Sequence, residues 1–325
     1  MINGTFFEFL HHNEKETTWN HQVAQFTDEM WAEKVDEMAE IGIEDLVITF
    51  VALNYKTFYP SRIFPKWDIK AQDPLYAVLH AAERNKMRVF VGAGFYGNWT
   101  NPWEAFTDME VRRRTEEAIQ ELAENYGDFR SFYGFYWPNE LGIGPDGHFP
   151  QVFIDHVREC NGFAKRYLPK AKTLIAPYGT NMAIPDDLFV SQLKEMGIDF
   201  VAYQDEIGAR KTKIEQLPQI FSGLKEAHRK ADIPLWVDME IYEFEGEILV
   251  SKLLPGDFAR IEKQIEALSP IVDRILVYQY QGIMNKPSTK VFTGVKESEK
   301  LYSDYVAKFN PASRQKFSKF PNRPV

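Results

Sequence analysis

The sequence predicts a (β/α)8 TIM barrel folded as a single domain. Two observations carry that prediction. Eight short β-like runs alternate with eight longer amphipathic runs, and almost nothing is left over. Strands each followed by a helix build a parallel sheet. Eight such units over about 300 residues match a closed barrel. A doubly wound open sheet is the competing arrangement, and the count of eight favours the barrel. The barrel is expected to occupy residues 1–310, with a short basic tail at 311–325.

The elements follow in order. "GTFFEFL" from Gly4 reads as the first strand. In "FTDEMWAEKVDEMAEIGI", Met30, Val35, Met38 and Ile41 share one helical face. Thr27 ahead of Asp28 and Glu29 is the expected N-cap, and Gly42 the stop. "DLVITFVAL" from Asp45 and "RVFVGAGFY" from Arg88 are the second and third strands, separated by the helix "PLYAVLHAAERNKM". After the helix "EVRRRTEEAIQELAENYG" comes "FYGFYWPNELG", Phe132 to Gly142, as the fourth strand. "KTLIAPYG" from Lys172, "DFVAYQDEIG" from Asp199, "PLWVDMEIYEF" from Pro234 and "RILVYQYQG" from Arg274 complete the eight, each followed by an amphipathic run. The loops after the first three strands are long, so the mouth of the barrel is expected to be partly walled.

Composition narrows the partners. A net charge of −9 argues against a general nucleic-acid or anionic-membrane surface. No run approaches the ~18 apolar residues of a membrane span. "MINGTFFEFLHHN" lacks a basic start and a cleavage site. The expectation is a cytoplasmic protein, or a secreted one if a leader has been removed. The single cysteine, Cys160, excludes an internal disulfide and is expected to be a buried, inert thiol. Seven Trp and fifteen Tyr suit a sugar cleft, where flat rings stack on pyranose faces.

In a barrel of this kind the site lies at the C-terminal ends of the strands. The residues there are polar and aromatic. They are Glu8, His11 and His12 after the first strand, Tyr96 after the third, and Trp137, Asn139 and Glu140 after the fourth. Tyr178 follows the fifth, and Tyr203, Gln204, Asp205 and Glu206 close the sixth. Asp238 and Glu240 lie on the seventh, and Tyr278, Gln279 and Tyr280 on the eighth. Such a rim suits an oligosaccharide or glycoside. Glu140 and Glu240, three strands apart, form the candidate catalytic pair. Glycosidic cleavage needs one carboxyl protonated for the leaving oxygen and one ionised to attack the anomeric carbon or activate water. An inverting enzyme with Asp205 or Glu206 as base, or a barrel that binds carbohydrate without turnover, are the alternatives. Asp238 shares the face of Glu240 and is expected to orient a neighbour. Glu8 is either a core carboxylate or a substrate ligand. Trp99 and Trp103 are either a sugar platform or loop anchors.

"WPNE" closing the fourth strand, with a Glu closing the seventh, resembles clan A of the retaining glycoside hydrolases. The resemblance implies that Asn139 contacts a sugar 2-hydroxyl, that Glu140 is the acid/base and that Glu240 is the nucleophile. "GTFFEF", "GFYWPNE", "AYQDEIG" and "VDMEIYEF" look still more like bacterial glycosidase-like barrels grouped as a domain of unknown function. That likeness covers most of the chain and implies no substrate. Clan A barrels often close the eighth strand with Trp, whereas this chain has "YQYQG", and "QDE" is not a hallmark of the clan.

Other motifs carry less. "GAGFYG" fits G-x-G-x-x-G, but no helix is expected to open on it, so crowding explains its glycines better than a nucleotide. No metal-ligand spacing or cysteine cluster occurs, and no cofactor or metal is expected. No G-x-S-x-G supports a serine hydrolase.

Overall fold

The computed structural model describes residues 1–309. The predicted tail at 311–325 lies outside the described residues. Eight parallel strands close on one another: β1 (Gly4–Phe7), β2 (Asp45–Ile48), β3 (Arg88–Gly92), β4 (Phe132–Tyr136), β5 (Lys172–Ile175), β6 (Phe200–Gln204), β7 (Leu235–Glu240) and β8 (Arg274–Tyr278). Consecutive strands pair around the circle, and β8 returns to β1 through Gly4 opposite Leu276. The helices are α1 (Asp28–Glu40), α2 (Pro74–Arg84), α3 (Met109–Tyr126), α4 (Gln151–Tyr167), α5 (Asp187–Met196), α6 (Leu217–Ala231), α7 (Phe258–Leu268) and α8 (Glu297–Phe309). The molecule is a (β/α)8 barrel.

Strand alternation sorts the apolar side chains into two compartments. Phe6, Val47, Phe90, Leu174, Ala202, Trp236 and Leu276 fill the barrel. Phe7, Leu46, Ile48, Val89, Val201 and Val237 point outward and pack against the helices. Both faces are buried, so the strands read as near-continuous apolar runs. Helix α1 begins where Thr27 accepts the Met30 N–H at 3.3 Å. It ends before Gly42, whose φ of 84° suits the missing Cβ. Val35, Met38 and Ile41 are buried as expected, while Met30 is only partly covered. Cys160 is buried and unpaired with another cysteine. The glycines of "GAGFYG" answer to crowding: a Cβ on Gly92 would meet the Ile48 carbonyl oxygen at 2.3 Å, and one on Gly94 would meet Pro138 at 2.4 Å.

The N-terminal end of the barrel is closed by charge. Asp45 is fully buried and accepts from Arg88 at 2.6 Å and from Arg274 at 2.7 Å, which ties β2 to β3 and to β8.

Every barrel strand is shorter than its sequence run, and after two of them the excess forms a ribbon. β2 stops at Ile48, and Ala52–Leu53 instead pairs antiparallel with Lys56–Thr57. β7 stops at Glu240, and Tyr242–Phe244 forms a second ribbon with Leu253–Pro255. Past the rim a barrel strand has no parallel neighbour, so the chain finds a local partner. Arg260 fixes the turn between β7 and its ribbon by donating to the carbonyls of Glu240 (3.1 Å) and Tyr242 (2.8 Å).

Candidate active site

A cleft of about 230 Å³ opens at the C-terminal ends of the strands. That lies just under the usual ~300–1,000 Å³ of small-molecule sites and suits one sugar ring. Glu140 and Glu240 both line it. The ribbon after β7 walls one side through Tyr242, Phe244 and Leu253. It is sealed to the loop after β1, where the Leu253 N–H donates to the Glu16 carbonyl at 2.7 Å.

Glu140 is held from two sides. The Tyr136 hydroxyl donates to its Oε1, and Gln204 Nε2 donates to its Oε2 at 3.1 Å. Burial pushes its pKa up to about 8, against the opposing pull of the Tyr136 hydrogen bond. A carboxyl in that state carries a proton at neutral pH.

Glu240 is 4 % exposed, and its Oε2 accepts the Ala209 N–H at 2.6 Å. The Tyr242 hydroxyl also favours its charge, yet burial and the neighbouring Asp205 raise its pKa. Asp205 stands behind Glu240 and does not line the cleft. It accepts the Glu240 N–H at 3.0 Å and Gln264 Nε2 at 2.6 Å. Glu206 is buried beside Lys211 and also lies off the cleft. Neither of these two expected substrate-binding residues lines the cleft.

Around β1, charge is paired internally. His11 lies between Glu8 (2.7 Å from Nδ1) and Glu16 (3.1 Å from Nε2). Burial opposes its charge, but the two carboxylates outweigh it and lift its pKa to about 9. His11 lines the cleft as an imidazolium. His12 is pressed down to about 4 by burial and by His11. Glu8, His11 and His12 bring ligand atoms within 4.8 Å of one another. With both ring nitrogens donating to carboxylates, however, His11 keeps no lone pair for a metal. Glu8 is fully buried and also accepts from Trp19 (3.3 Å) and Gln279 (3.1 Å). It is a satisfied core carboxylate, held in part by Gln279 Nε2, whose own Oε1 is buried without a partner.

Most of the predicted aromatic rim faces the other way. Trp137 stacks on Phe135 and donates its indole N–H to Asn161 at 2.8 Å. Tyr203 pairs with His228 at 2.9 Å, Tyr96 stacks on Phe64, and Lys34 sits over Tyr280. These four rings are buried between barrel and helices and do not reach the cleft. Tyr178 is 39 % exposed beside Lys211, outside the cleft. Of the predicted ring set only Tyr278 lines it. Asn139 lines an adjoining small pocket and accepts the Phe95 N–H at 3.3 Å. Trp99 packs edge-on against His12 as a loop anchor, and Trp103 is half exposed away from the cleft.

The structure adds residues that sequence reasoning missed. Tyr136 and Tyr242 contact the two glutamates, Glu16 pairs with His11, and Arg260 and Gln264 brace the backbone of Glu240. Tyr136 was available from the same alternation that places Glu140 at the cleft.

The fold and rim together define a (β/α)8 barrel with its candidate site at the C-terminal ends of the strands. The chain belongs to the family described as Domain of unknown function (DUF4434), whose model matches residues 2–291. A comparison with curated proteins returns no match. Among solved structures, the chain is similar to a Bacteroides thetaiotaomicron VPI-5482 protein provisionally named an alpha-L-fucosidase. The TM-score is 0.73 at 19% identity, covering 95% of this chain and 93% of that one. It is also similar to the endo-beta-1,4-mannanase of Thermotoga petrophila, with a TM-score of 0.63 and 12% identity over 95% of this chain and 77% of that one. The endo-1,4-beta-mannanase of Rhizomucor miehei has a TM-score of 0.62 and 11% identity over 96% and 95%. At these identities the likeness is one of fold. Among the described residues no helix is long and apolar enough to cross a membrane.

Proposed function

We propose that this protein is a retaining glycoside hydrolase in which Glu140 is the acid/base and Glu240 the nucleophile. The observation that carries this reading is the placement of the two carboxyl groups, from β4 and β7, on one cleft the size of a sugar ring. In the first step Glu140 gives its proton to the glycosidic oxygen while Glu240 attacks the anomeric carbon, and the bond to the aglycone breaks. In the second, the Glu140 carboxylate takes a proton from water as that water displaces Glu240. Tyr136 and Gln204 hold Glu140 through both states. Ala209 N–H and Tyr242 favour the charged form of Glu240. The ribbon closes one side of the cleft, which favours removal of terminal sugars.

The test uses aryl glycosides. Glu140→Ala should lose the ~10²–10⁴-fold contributed by acid assistance on substrates with poor leaving groups. It should keep the first step on activated aryl glycosides, and azide should restore turnover with retained configuration. Glu240→Ala should abolish turnover on every substrate when azide is absent. A Glu240→Ala protein of near-normal activity would remove the assignment, and sugar binding by the wild type without turnover would favour a carbohydrate-binding barrel.

A further inference from the structure

Beside the catalytic pair, two further carboxylates line the cleft: Glu16, which pairs with His11, and Asp238, which neither chemical step uses. Asp238 precedes Glu240 by two residues, so it lies on the same inner face of β7. It is 3 % exposed and lines the cleft. Its Oδ1 is buried without a hydrogen-bond partner. The contrast with Asp205 one strand away is direct, since both oxygens of Asp205 are engaged. A buried carboxylate without donors is costly and calls for a partner.

The surroundings say which partner. No lysine or arginine lines the cleft. Its one cation, His11, is already held by Glu8 and Glu16. Burial, with repulsion from Glu240, therefore raises the pKa of Asp238 well above the usual carboxylate range. A metal does not fit. Among the described residues the only group with ligand atoms all within 4.8 Å is Glu8, His11 and His12, so Asp238, Glu140 and Glu240 do not form a cage for one ion. A uronic acid would add a further anion with no cation to receive it. A hydroxyl would give one hydrogen bond and leave the repulsion between Asp238 and Glu240 in place. An ammonium group brings three donors and a positive charge, and answers both needs.

We propose that Asp238 recognises an ammonium group, so that the sugar bound in this cleft is an amino sugar with a free, unacetylated amine. This rests on the reading of the cleft as a glycoside site. It adds the class of sugar and gives Asp238 a positioning role distinct from the catalytic pair.

The experiment is a calorimetric titration of the full chain near neutral pH, where a large share of a sugar amine is protonated and Asp238 is closer to ionisation than in acid. The probes are glucosamine, galactosamine and mannosamine, each beside its parent hexose, its N-acetyl form and the corresponding uronic acid. At least one amine should bind about tenfold or more tightly than its parent, and N-acetylation should remove that advantage. Asp238→Asn, close in size, should bring amine and parent within about threefold. The N-acetyl comparison needs no variant, so it decides the matter even if Asp238→Asn misfolds. Equal or tighter binding of the parent or uronic sugars, no binding of any amine, or an advantage that survives in folded Asp238→Asn would each overturn the proposal. Aryl glycosides of the same sugars separate it from the catalytic reading. Selective amine binding without hydrolysis would remove the hydrolase and keep the site. Hydrolysis that prefers neutral sugars would do the reverse.

Discussion

Tyr136 is the residue whose small change reports most on the site. Its hydroxyl stabilises the charged form of Glu140, so Tyr136→Phe should raise the pKa of Glu140 further. If Glu140 must be protonated to act, kcat/KM falls as pH rises through about 8. In Tyr136→Phe that alkaline limb should move up by about one pH unit, since a hydrogen bond to a charged group is worth ~1.5–3 kcal/mol. The position of the limb is the readout, because lost contacts with substrate alter its height. A limb that stays put or moves down would show that another group controls it. Residue-scale legibility was uneven for a definable reason. Glu140 and Glu240 were found from their place at strand ends. Trp137 and Tyr203 also stand at strand ends, but each lies one residue off the inward-facing positions of Tyr136 and Gln204.

At the level of elements, the barrel separates its stable end from its reactive one. The Asp45 pairs with Arg88 and Arg274 brace β2, β3 and β8 at the N-terminal end. Asp45→Asn should lower stability by about 2 kcal/mol, less than the full ~3–5 kcal/mol of a wholly buried pair because both arginines are partly solvated. The activity of the folded fraction should be unchanged, as measured by denaturant titration beside active-site turnover. Loss of turnover without loss of stability would show coupling between the two ends. The eight strand–helix units were legible because burial on both faces makes apolar strands, and amphipathic runs make helices. The two ribbons were not, since Ala52–Leu53 and Tyr242–Phe244 continue apolar runs whose pattern does not say which strand they pair with.

For the whole molecule, the cleft sets the response to pH. Glu140 has its pKa raised from 4.5 to about 8, and His11 from 6.5 to about 9. In both cases the folded state holds a proton that the unfolded chain releases at lower pH. Each contribution is therefore complete below the unfolded value and lost as pH rises through the folded one. The unfolding free energy from denaturant titration should fall between about pH 5 and pH 9, by an amount on the order of several kcal/mol, and the midpoint with it. Glu140→Gln should flatten the Glu140 share, most visibly between about 4.5 and 8. A midpoint that rises across that range would contradict the protonation states given to both groups.

The ribbon after β7 has one further consequence. The nucleophile and the wall of its chamber belong to one uninterrupted stretch of chain, with only Ile241 between Glu240 and Tyr242, and Arg260 clamps the carbonyls on either side. The entrance on this side is therefore not a detachable module. A lineage or a designer seeking to admit a bulkier glycan can lengthen the segments that follow β2 or β3 and leave the reactive carboxylates alone. Remodelling the ribbon instead would disturb the clamp and with it the aim of Glu240, so diversification of this scaffold should be concentrated on the opposite shore of the cleft.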